Sequence, residues 1–176
     1  MSAWPPSIVH AFLNSVERHP DKACLQFEGR RISFAQLLRD AQQWADALRG
    51  WGLRAGDRVA LYLENSPAFV AAYLGTYLAG GIVVPVNVQY RRVELEHILS
   101  DAAVRLCLTD GPRCGELQRV LEALPALDAV IVRGPWDRSA SPVHVAHAAP
   151  RPAWIAWQEF LAAAAGHSLE LPRADA

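Results

Sequence analysis

Several signals that would assign this chain to a membrane or to nucleic acid are missing from its sequence. The first residues, Met-Ser-Ala-Trp-Pro-Pro, contain neither a basic leader nor an apolar signal core, which leads us to expect a cytoplasmic protein. Lysine plus arginine number 17 and aspartate plus glutamate 18, a formal net charge of −1, and no basic stripe alternates with aromatic residues. Nucleic acid is therefore not an expected partner.

Cysteine is scarce, and the three thiols do not form a recognisable pattern. Cys24, Cys107 and Cys114 are odd in number and lack the spacing of metal ligands. Cys107 falls within a predicted strand, so buried and chemically idle thiols are the favoured interpretation.

Metal-binding patterns are equally incomplete. Glu94 and His97 lie one helical turn apart, as in half of a di-iron site, but the sequence has no second copy. His144 and His147 stand in a segment rich in proline and alanine without acidic or cysteine neighbours. We therefore predict a solvated helix face for the first pair and no zinc site for the second.

The common phosphate-binding and nucleophile motifs are absent too. No Gly-x-Gly-x-x-Gly follows a predicted strand, and neither Gly-x-x-x-x-Gly-Lys-Ser/Thr nor Gly-x-Ser-x-Gly occurs. The glycines between residues 50 and 56 follow a helix and precede a strand, so no helix N-terminus is available there to bind phosphate. They predict a helix end and a turn.

A charge-free stretch between Glu64 and Arg91 is the most informative segment of the chain. Its length permits a membrane span, but the glycine pair 80–81 divides it and Pro85 would break a second helical half. Two elements are favoured instead: a helix over 67–79, apolar nearly all round, and a strand over 82–86 that is covered on both faces. We therefore predict no transmembrane segment.

The rest of the chain alternates around that stretch. The pattern predicts an amphipathic helix from residue 8, a hairpin over 21–34, a helix opened by a capping box at Ser33, and then strands and helices in turn. The later strands are predicted at 59–63, 82–86, 104–108 and 129–132, and the later helices at 67–79, 91–100, 112–123 and 156–165. Residues 133–155 are predicted to be a loop or linker. Short links between strands and helices predict an α/β fold: a parallel sheet with helices on both faces, plus a small N-terminal hairpin.

Five segments, taken in order, resemble the N-terminal part of the AMP-forming adenylate ligases, the superfamily of acyl-CoA synthetases, luciferases and peptide-synthetase adenylation domains. Each motif is weak alone, whereas their order and spacing are specific. Asparagine at position 87 is similar to the acyl-CoA synthetase branch, because peptide-synthetase domains more often carry aspartate at this position. The segments are Ile32–Leu37, Gly52–Leu61, Asn65–Pro67, Ala79–Asn87 and Tyr90–Asp101.

The resemblance implies the first subdomain of the large N-terminal domain, with residues 1–176 an incomplete AMP-binding domain. Family members join a carboxylic acid, such as a fatty acid, to CoA through an acyl-adenylate, using ATP and Mg²⁺. The family's phosphate loop, aromatic-Gly-x-Thr-Glu motif, ribose-binding aspartate and C-terminal lysine are not found, and residues 172–176 resemble the segment just before that loop. We therefore expect a truncated chain or fragment that is inactive alone, binds no cofactor by itself and has no catalytic residue.

Two arginines are the only candidate site residues. Arg91 and Arg92 follow the predicted strand 82–86, and in a complete parent enzyme they are candidates for contact with CoA phosphates, because arginine offers a planar fork of donors. An exposed helix start is the competing interpretation.

Two further interpretations stay open. One is a non-catalytic module with a binding or regulatory role, and the other is an unrelated nucleotide-binding α/β domain. If the chain is truncated, the apolar helix over 67–79 should leave surface uncovered and cause self-association.

Overall fold

A five-stranded parallel sheet forms the centre of the structure, a computed structural model that describes residues 7–137 and 152–163. The strands lie in the order β4-β3-β5-β6-β7, and each neighbouring pair is parallel. A separate antiparallel hairpin, β1-β2, precedes the sheet in the chain. The elements are α1 (Ile8–Arg18), β1 (Ala23–Phe27), β2 (Arg30–Ser33), α2 (Phe34–Gly50), β3 (Arg58–Tyr62), α3 (Pro67–Leu78), β4 (Ile82–Pro85), α4 (Arg92–Asp101), β5 (Leu106–Asp110), α5 (Cys114–Gln118), β6 (Ala129–Arg133), β7 (Ala153–Ala156) and α6 (Trp157–Ala162).

Helices cover both faces of this sheet, as the sequence predicts. The chain leaves β3 toward β4 through α3 and then returns past β3 to β5 through α4, and right-handed crossovers in opposite directions place their helices on opposite faces. One core contains Trp44, Leu48 and Phe160 of the α2 and α6 side. The other contains Leu99 and Leu117 of the α4 and α5 side. The predicted α/β fold with a small hairpin is therefore confirmed.

Serine side chains cap helices α2 and α3 at their observed starts. The Ser33 hydroxyl accepts the Gln36 N–H at 3.3 Å, and the Gln36 side chain accepts the Ser33 N–H at 2.9 Å, which completes the capping box of α2. Ser66 caps α3 in the same way, accepting the Phe69 N–H at 3.2 Å. Gly80 ends that helix with φ of +85°, a conformation that glycine adopts without steric cost.

Helix α3 is buried on two of its faces and half-buried on a third. Ala72 and Thr76 face the sheet and α2, while Leu74 and Leu78 pack toward α1, α2 and the hairpin. The third face carries a row of rings spaced four residues apart, and we call Phe69, Tyr73 and Tyr77 the aromatic row. No helix among residues 7–137 and 152–163 is long and apolar enough to cross a membrane.

Strand β4 forms one edge of the sheet, and Pro85 sits where it costs no hydrogen bond. The Ile82 N–H donates to the carbonyl of Asp57, just before β3, at 2.8 Å, and the Val86 N–H donates to that of Leu61 in β3 at 3.0 Å. The N–H groups of the even-numbered residues thus face β3, and Pro85 faces outward. Proline has no N–H, and its outward position leaves the free edge with one donor fewer for pairing with another strand.

One predicted helix in the C-terminal part was wrong in detail. The helix predicted over 112–123 is split into α5 and two 3₁₀ turns, Gly111–Arg113 and Leu121–Ala123. Pro112 supplies no donor, and Leu124, which precedes Pro125, leaves the helical region with ψ of 62°.

Strand β7 was not predicted. Its residues 153–155 are the last three of the range 133–155, which the sequence analysis assigns to a loop. It is a four-residue edge strand directly after Pro152, and alanine and proline there suppress the strand signal. Residues 138–151 of that range lie outside the described residues. The predicted last helix starts one residue later, at Trp157, and its end at 165 also lies outside them.

Candidate functional site

The direction in which strands are added to the sheet reverses at β3, and the candidate site lies at this point. Strand β3 lies between β4 and β5, so the chain passes to one side of it and then to the other. In doubly wound sheets, ligands bind at the carboxyl ends of the strands beside such a switch point. The segments that follow β3 and β5 therefore line the crevice in which a ligand is expected.

Arg113 joins these two segments. Its Nη1 donates to both carboxylate oxygens of Asp110, at 2.6 and 2.8 Å, and its Nη2 donates to Oε1 of Glu64. Asp110 ends β5, and Glu64 lies two residues beyond β3. The guanidinium carbon lies 5.8 Å from the ring centroid of Tyr62, within the range of a cation–π contact.

Tyr62 connects the same crevice to the segment before α4. The residue is fully buried, and its hydroxyl donates to the carbonyl of Tyr90 at 2.9 Å. The Thr109 hydroxyl donates in turn to the Tyr62 carbonyl at 2.9 Å. Burial raises the pKa of Tyr62, an effect that the nearby positive charges of Arg113 and Arg91 oppose. Two guanidinium groups therefore approach one buried phenol.

The two predicted arginines differ in position. Arg91 precedes α4, its N–H donates to Glu94 at 3.2 Å, and its Nη1 lies 3.4 Å from the Tyr90 carbonyl oxygen that also accepts from the Tyr62 hydroxyl. Arg92 is exposed at the first residue of α4 and makes none of these contacts. The structure therefore brings Arg91 to the crevice with Arg113, which the sequence analysis did not single out. The sequence signal that could have identified Arg113 is its position three residues after Asp110, the aspartate that ends β5.

A cleft of about 290 Å³ opens beside this group, between the segments that follow β3 and β4. The Asn87 side chain accepts the Gln89 N–H at 2.9 Å, which fixes the turn after β4. Glu64 lines this cleft and also contacts Arg113. The lining residues are Leu63, Glu64, Asn65, Phe69, Pro85, Val86, Asn87 and Val88.

The crevice holds more hydrogen-bonding capacity than its residues use. Nε of Arg113 and Oε2 of Glu116 are buried and have no hydrogen-bond partner among the described residues. A buried polar group without a partner costs about 1–3 kcal/mol. Such groups are expected where a ligand or a further part of the protein completes the structure.

Glu94 and His97 lie on an exposed face of α4, as predicted. No group of three or more His, Cys, Asp or Glu side chains in residues 7–137 and 152–163 is placed to hold a metal ion. Glu94 instead accepts the hydrogen bond that caps α4, whereas His144 and His147 lie outside the described residues.

The cysteine prediction is confirmed for two of the three thiols. Cys107 and Cys114 are buried, and Cys24 is half-buried. Burial, helped by the charge of Asp110, raises the pKa of Cys114 to about 11, so this group is a neutral thiol at pH 7.

Comparison with known proteins identifies the fold and the family. A long-chain-fatty-acid–CoA ligase of Bacillus subtilis is 44% identical over 96 residues, which are 54% of this chain and 17% of that protein. The phenyloxazoline synthase MbtB of Mycobacterium tuberculosis is 36% identical over 134 residues, 73% of this chain and 10% of that protein. The solved structure of the anthranilate CoA ligase AuaEII superposes with a TM-score of 0.76 at 23% identity, covering 92% of this chain and 30% of that one.

The chain thus spans between a tenth and a third of each of these proteins. A family model described as AMP-binding enzyme matches residues 12–164, most of the sequence. The chain belongs to the AMP-binding enzyme family.

Proposed function

We propose that the chain is the N-terminal part of an ATP-dependent, AMP-forming carboxylic acid–CoA ligase, with residues 1–176 an incomplete AMP-binding domain. The family match over residues 12–164 carries this proposal, and the small share of each relative that the chain spans supports its second half. The complete enzyme would form an acyl-adenylate from the acid and ATP, releasing pyrophosphate. The CoA sulfur would then attack the acyl carbon and release AMP.

A fatty or related acid is the proposed substrate, and fatty acid metabolism in the cytoplasm the proposed setting. The name of the Bacillus relative supports the acid, and Asn87 supports the CoA-ligase branch over the peptide-synthetase branch. Free cysteines in the described residues agree with a reducing compartment.

Of the family's cosubstrates, CoA fits the described residues best. The guanidinium groups of Arg91 and Arg113 at the switch point suit phosphate, and Nε of Arg113 has no other partner among residues 7–137 and 152–163. Arg92 stays a second candidate beside them. These residues would bind and orient CoA, whose thiol supplies the acyl acceptor. We assign no ligand for Mg²⁺ and no ATP contact to this chain.

The 176-residue chain alone is expected to have no ligase activity. The phosphate loop, the ribose-binding aspartate and the lysine of the family are not in its sequence, and preorganised donors of this kind supply most of the rate in phosphoryl chemistry. Acid-dependent exchange of labelled pyrophosphate into ATP measures this directly. Exchange above the rate of a no-protein control would refute the proposal of an incomplete domain.

Replacing Arg91 by alanine in the complete enzyme is expected to raise the KM for CoA about tenfold, with kcat unchanged. A charge-assisted hydrogen bond from an exposed arginine contributes at the lower end of 1.5–3 kcal/mol, and its loss affects binding rather than chemistry. Arg18→Ala, at the exposed end of α1, is the matched control. Equal CoA constants for the parent and the Arg91→Ala/Arg92→Ala double variant would end the assignment.

The alternative is a non-catalytic truncated module, and one observation favours it. Helices already cover both faces of the sheet, so this part of the chain has a core of its own. Coding sequence for the phosphate loop directly after Ala176 would exclude the module, and a stop codon there would support it. The family match removes the third interpretation, an unrelated nucleotide-binding domain.

We also propose that the isolated chain self-associates through the aromatic row of α3, Phe69, Tyr73 and Tyr77, which is only half-buried.

A further inference from the structure

Arg113 has two acidic partners that differ in their exposure to solvent. The Asp110 side chain is 15% exposed, like that of Arg113, and it contacts Nη1 with both oxygens. The Glu64 side chain is 64% exposed and contacts Nη2 with one oxygen. The first pair is therefore shielded from water, whereas the second lies at the surface.

This difference makes one partner permanent and the other exchangeable. Removing Asp110 from Arg113 would leave two charges in a poorly solvated place, which is strongly unfavourable. An exposed carboxylate loses little on leaving its arginine, because water solvates it and the pair itself contributes up to about 1 kcal/mol. Nη2 of Arg113 is accordingly the donor that a new anion can take over.

The surroundings of Glu64 provide the room for such an exchange. The residue borders the 290 Å³ cleft between the segments after β3 and β4, so its side chain has space into which to withdraw. Nε of Arg113 lies on the same guanidinium and has no hydrogen-bond partner among the described residues. Arg91 adds a second positive charge, at the Tyr90 carbonyl that the Tyr62 hydroxyl also contacts. An anion arriving at Nη2 would thus meet more donors than Glu64 uses.

We propose that Glu64 is an internal anion that occupies Nη2 of Arg113 until a phosphate group displaces it, and that Glu64 thereby sets the affinity of the crevice for phosphate-bearing ligands. The exchange is a property of this chain. Only the identification of the ligand as CoA rests on the proposed function. Phosphate suits the position because its oxygens can accept from neighbouring donors of one guanidinium at the same time.

The test is isothermal titration calorimetry of the 176-residue chain and its Glu64→Gln variant, with inorganic pyrophosphate as one ligand and CoA, in a separate titration, as the other. Glutamine keeps the size of the side chain and removes the competing charge. Dissociation constants are expected to fall about threefold to tenfold for both ligands, the effect of removing one weak ion pair together with one repulsive charge.

Glu17→Gln is the matched control, because Glu17 is exposed on α1 and the substitution changes the net charge equally. Its dissociation constants are expected to equal those of the parent chain. In parallel, the Nε–Hε cross-peak of Arg113 should shift on addition of pyrophosphate, in the parent as well as in the Glu64→Gln variant.

Three outcomes would overturn the inference: equal affinities of the parent and the Glu64→Gln chain, an equal gain in the Glu17→Gln control, or binding that leaves the Arg113 cross-peak unmoved. Failure to bind pyrophosphate at millimolar concentration in all three chains would overturn it as well. Tighter binding of pyrophosphate without any binding of CoA would support the exchange at Glu64 and contradict the assignment of CoA to this crevice.

Discussion

A Gly75→Ala substitution is expected to destabilise the chain by roughly 2 kcal/mol, although it places alanine in a helix where glycine stood. A Cβ at this position would lie 2.3 Å from the Ala41 carbonyl oxygen and 2.9 Å from Cδ1 of Trp44. The gain in helix propensity is about 1 kcal/mol, and overpacking of a tight contact costs about 1–3 kcal/mol or more. Overpacking wins here because the nearest atom belongs to the backbone of α2 and has no rotamer to change.

Gly115→Ala is the matched control for this prediction. Gly115 lies in α5, and an added Cβ would meet nothing within 4 Å, so the same substitution should be neutral or stabilise by up to about 1 kcal/mol. Urea unfolding followed by tryptophan fluorescence compares the two variants with the parent. A Gly75→Ala chain as stable as the Gly115→Ala chain would show that α2 and α3 are not in close contact.

The close contact between α2 and α3 depends on particular partners. Nε1 of the fully buried Trp44 donates to the Thr76 hydroxyl at 3.0 Å, and that hydroxyl donates to the Ala72 carbonyl at 2.7 Å. The Trp44 ring also stacks on Trp157 with centroids 4.9 Å apart. A small residue at 75 leaves room for this indole, which explains why the apolar run of α3 is interrupted by glycine and threonine.

The alternation of strands and helices was predictable because each element carries its own local signal. The charge-free run from residue 65 to 90 has a capping serine, a glycine stop and a β-branched run, and these features depend only on neighbouring residues. Boundaries were less certain. Strand β5 begins at Leu106, two residues after its predicted start, because Ala103 has φ of +44° and Val104 is buried before the ladder begins.

The candidate site could be predicted only in part, because its central contact is not local. Arg91 follows a strand and could be selected from its position, whereas Arg113 meets Glu64 across 49 residues of sequence. Only the strand order, with β3 between β4 and β5, brings the two segments together. A sequence pattern within one element contains no information on which strands become neighbours.

Helix α3 has one face left to cover. Phe69 and Tyr73 lie with centroids 6.3 Å apart, Tyr73 and Tyr77 5.2 Å apart, and all three side chains are half-buried. A fully buried aromatic side chain removes 150–250 Å² from water, and because these three rings are already more than half covered, they leave at most roughly 200 Å² open. At about 25 cal/mol per Å², covering that area would contribute up to about 5 kcal/mol, the lower end of the net stability of a domain.

The isolated chain is therefore expected to bind the dye ANS and to self-associate, since partly exposed aromatic rings in one contiguous row favour contact with other apolar surfaces. Dye fluorescence and sedimentation velocity measure the two effects. Tyr73→Gln should lower both by roughly half, because it removes the middle ring of the aromatic row. Val93→Gln is the matched control: Val93 is 76% exposed on α4, and a single exposed valine needs no cover.

Opposite results would change the interpretation of the whole chain. A monomer that melts cooperatively and does not bind ANS would show that the aromatic row needs no partner. The contacts that the three rings already make within the chain would then be sufficient. That outcome would favour the self-sufficient module over the truncated ligase domain. Equal effects of Tyr73→Gln and Val93→Gln would instead place the adhesive surface elsewhere, since the two variants differ in whether they touch the aromatic row.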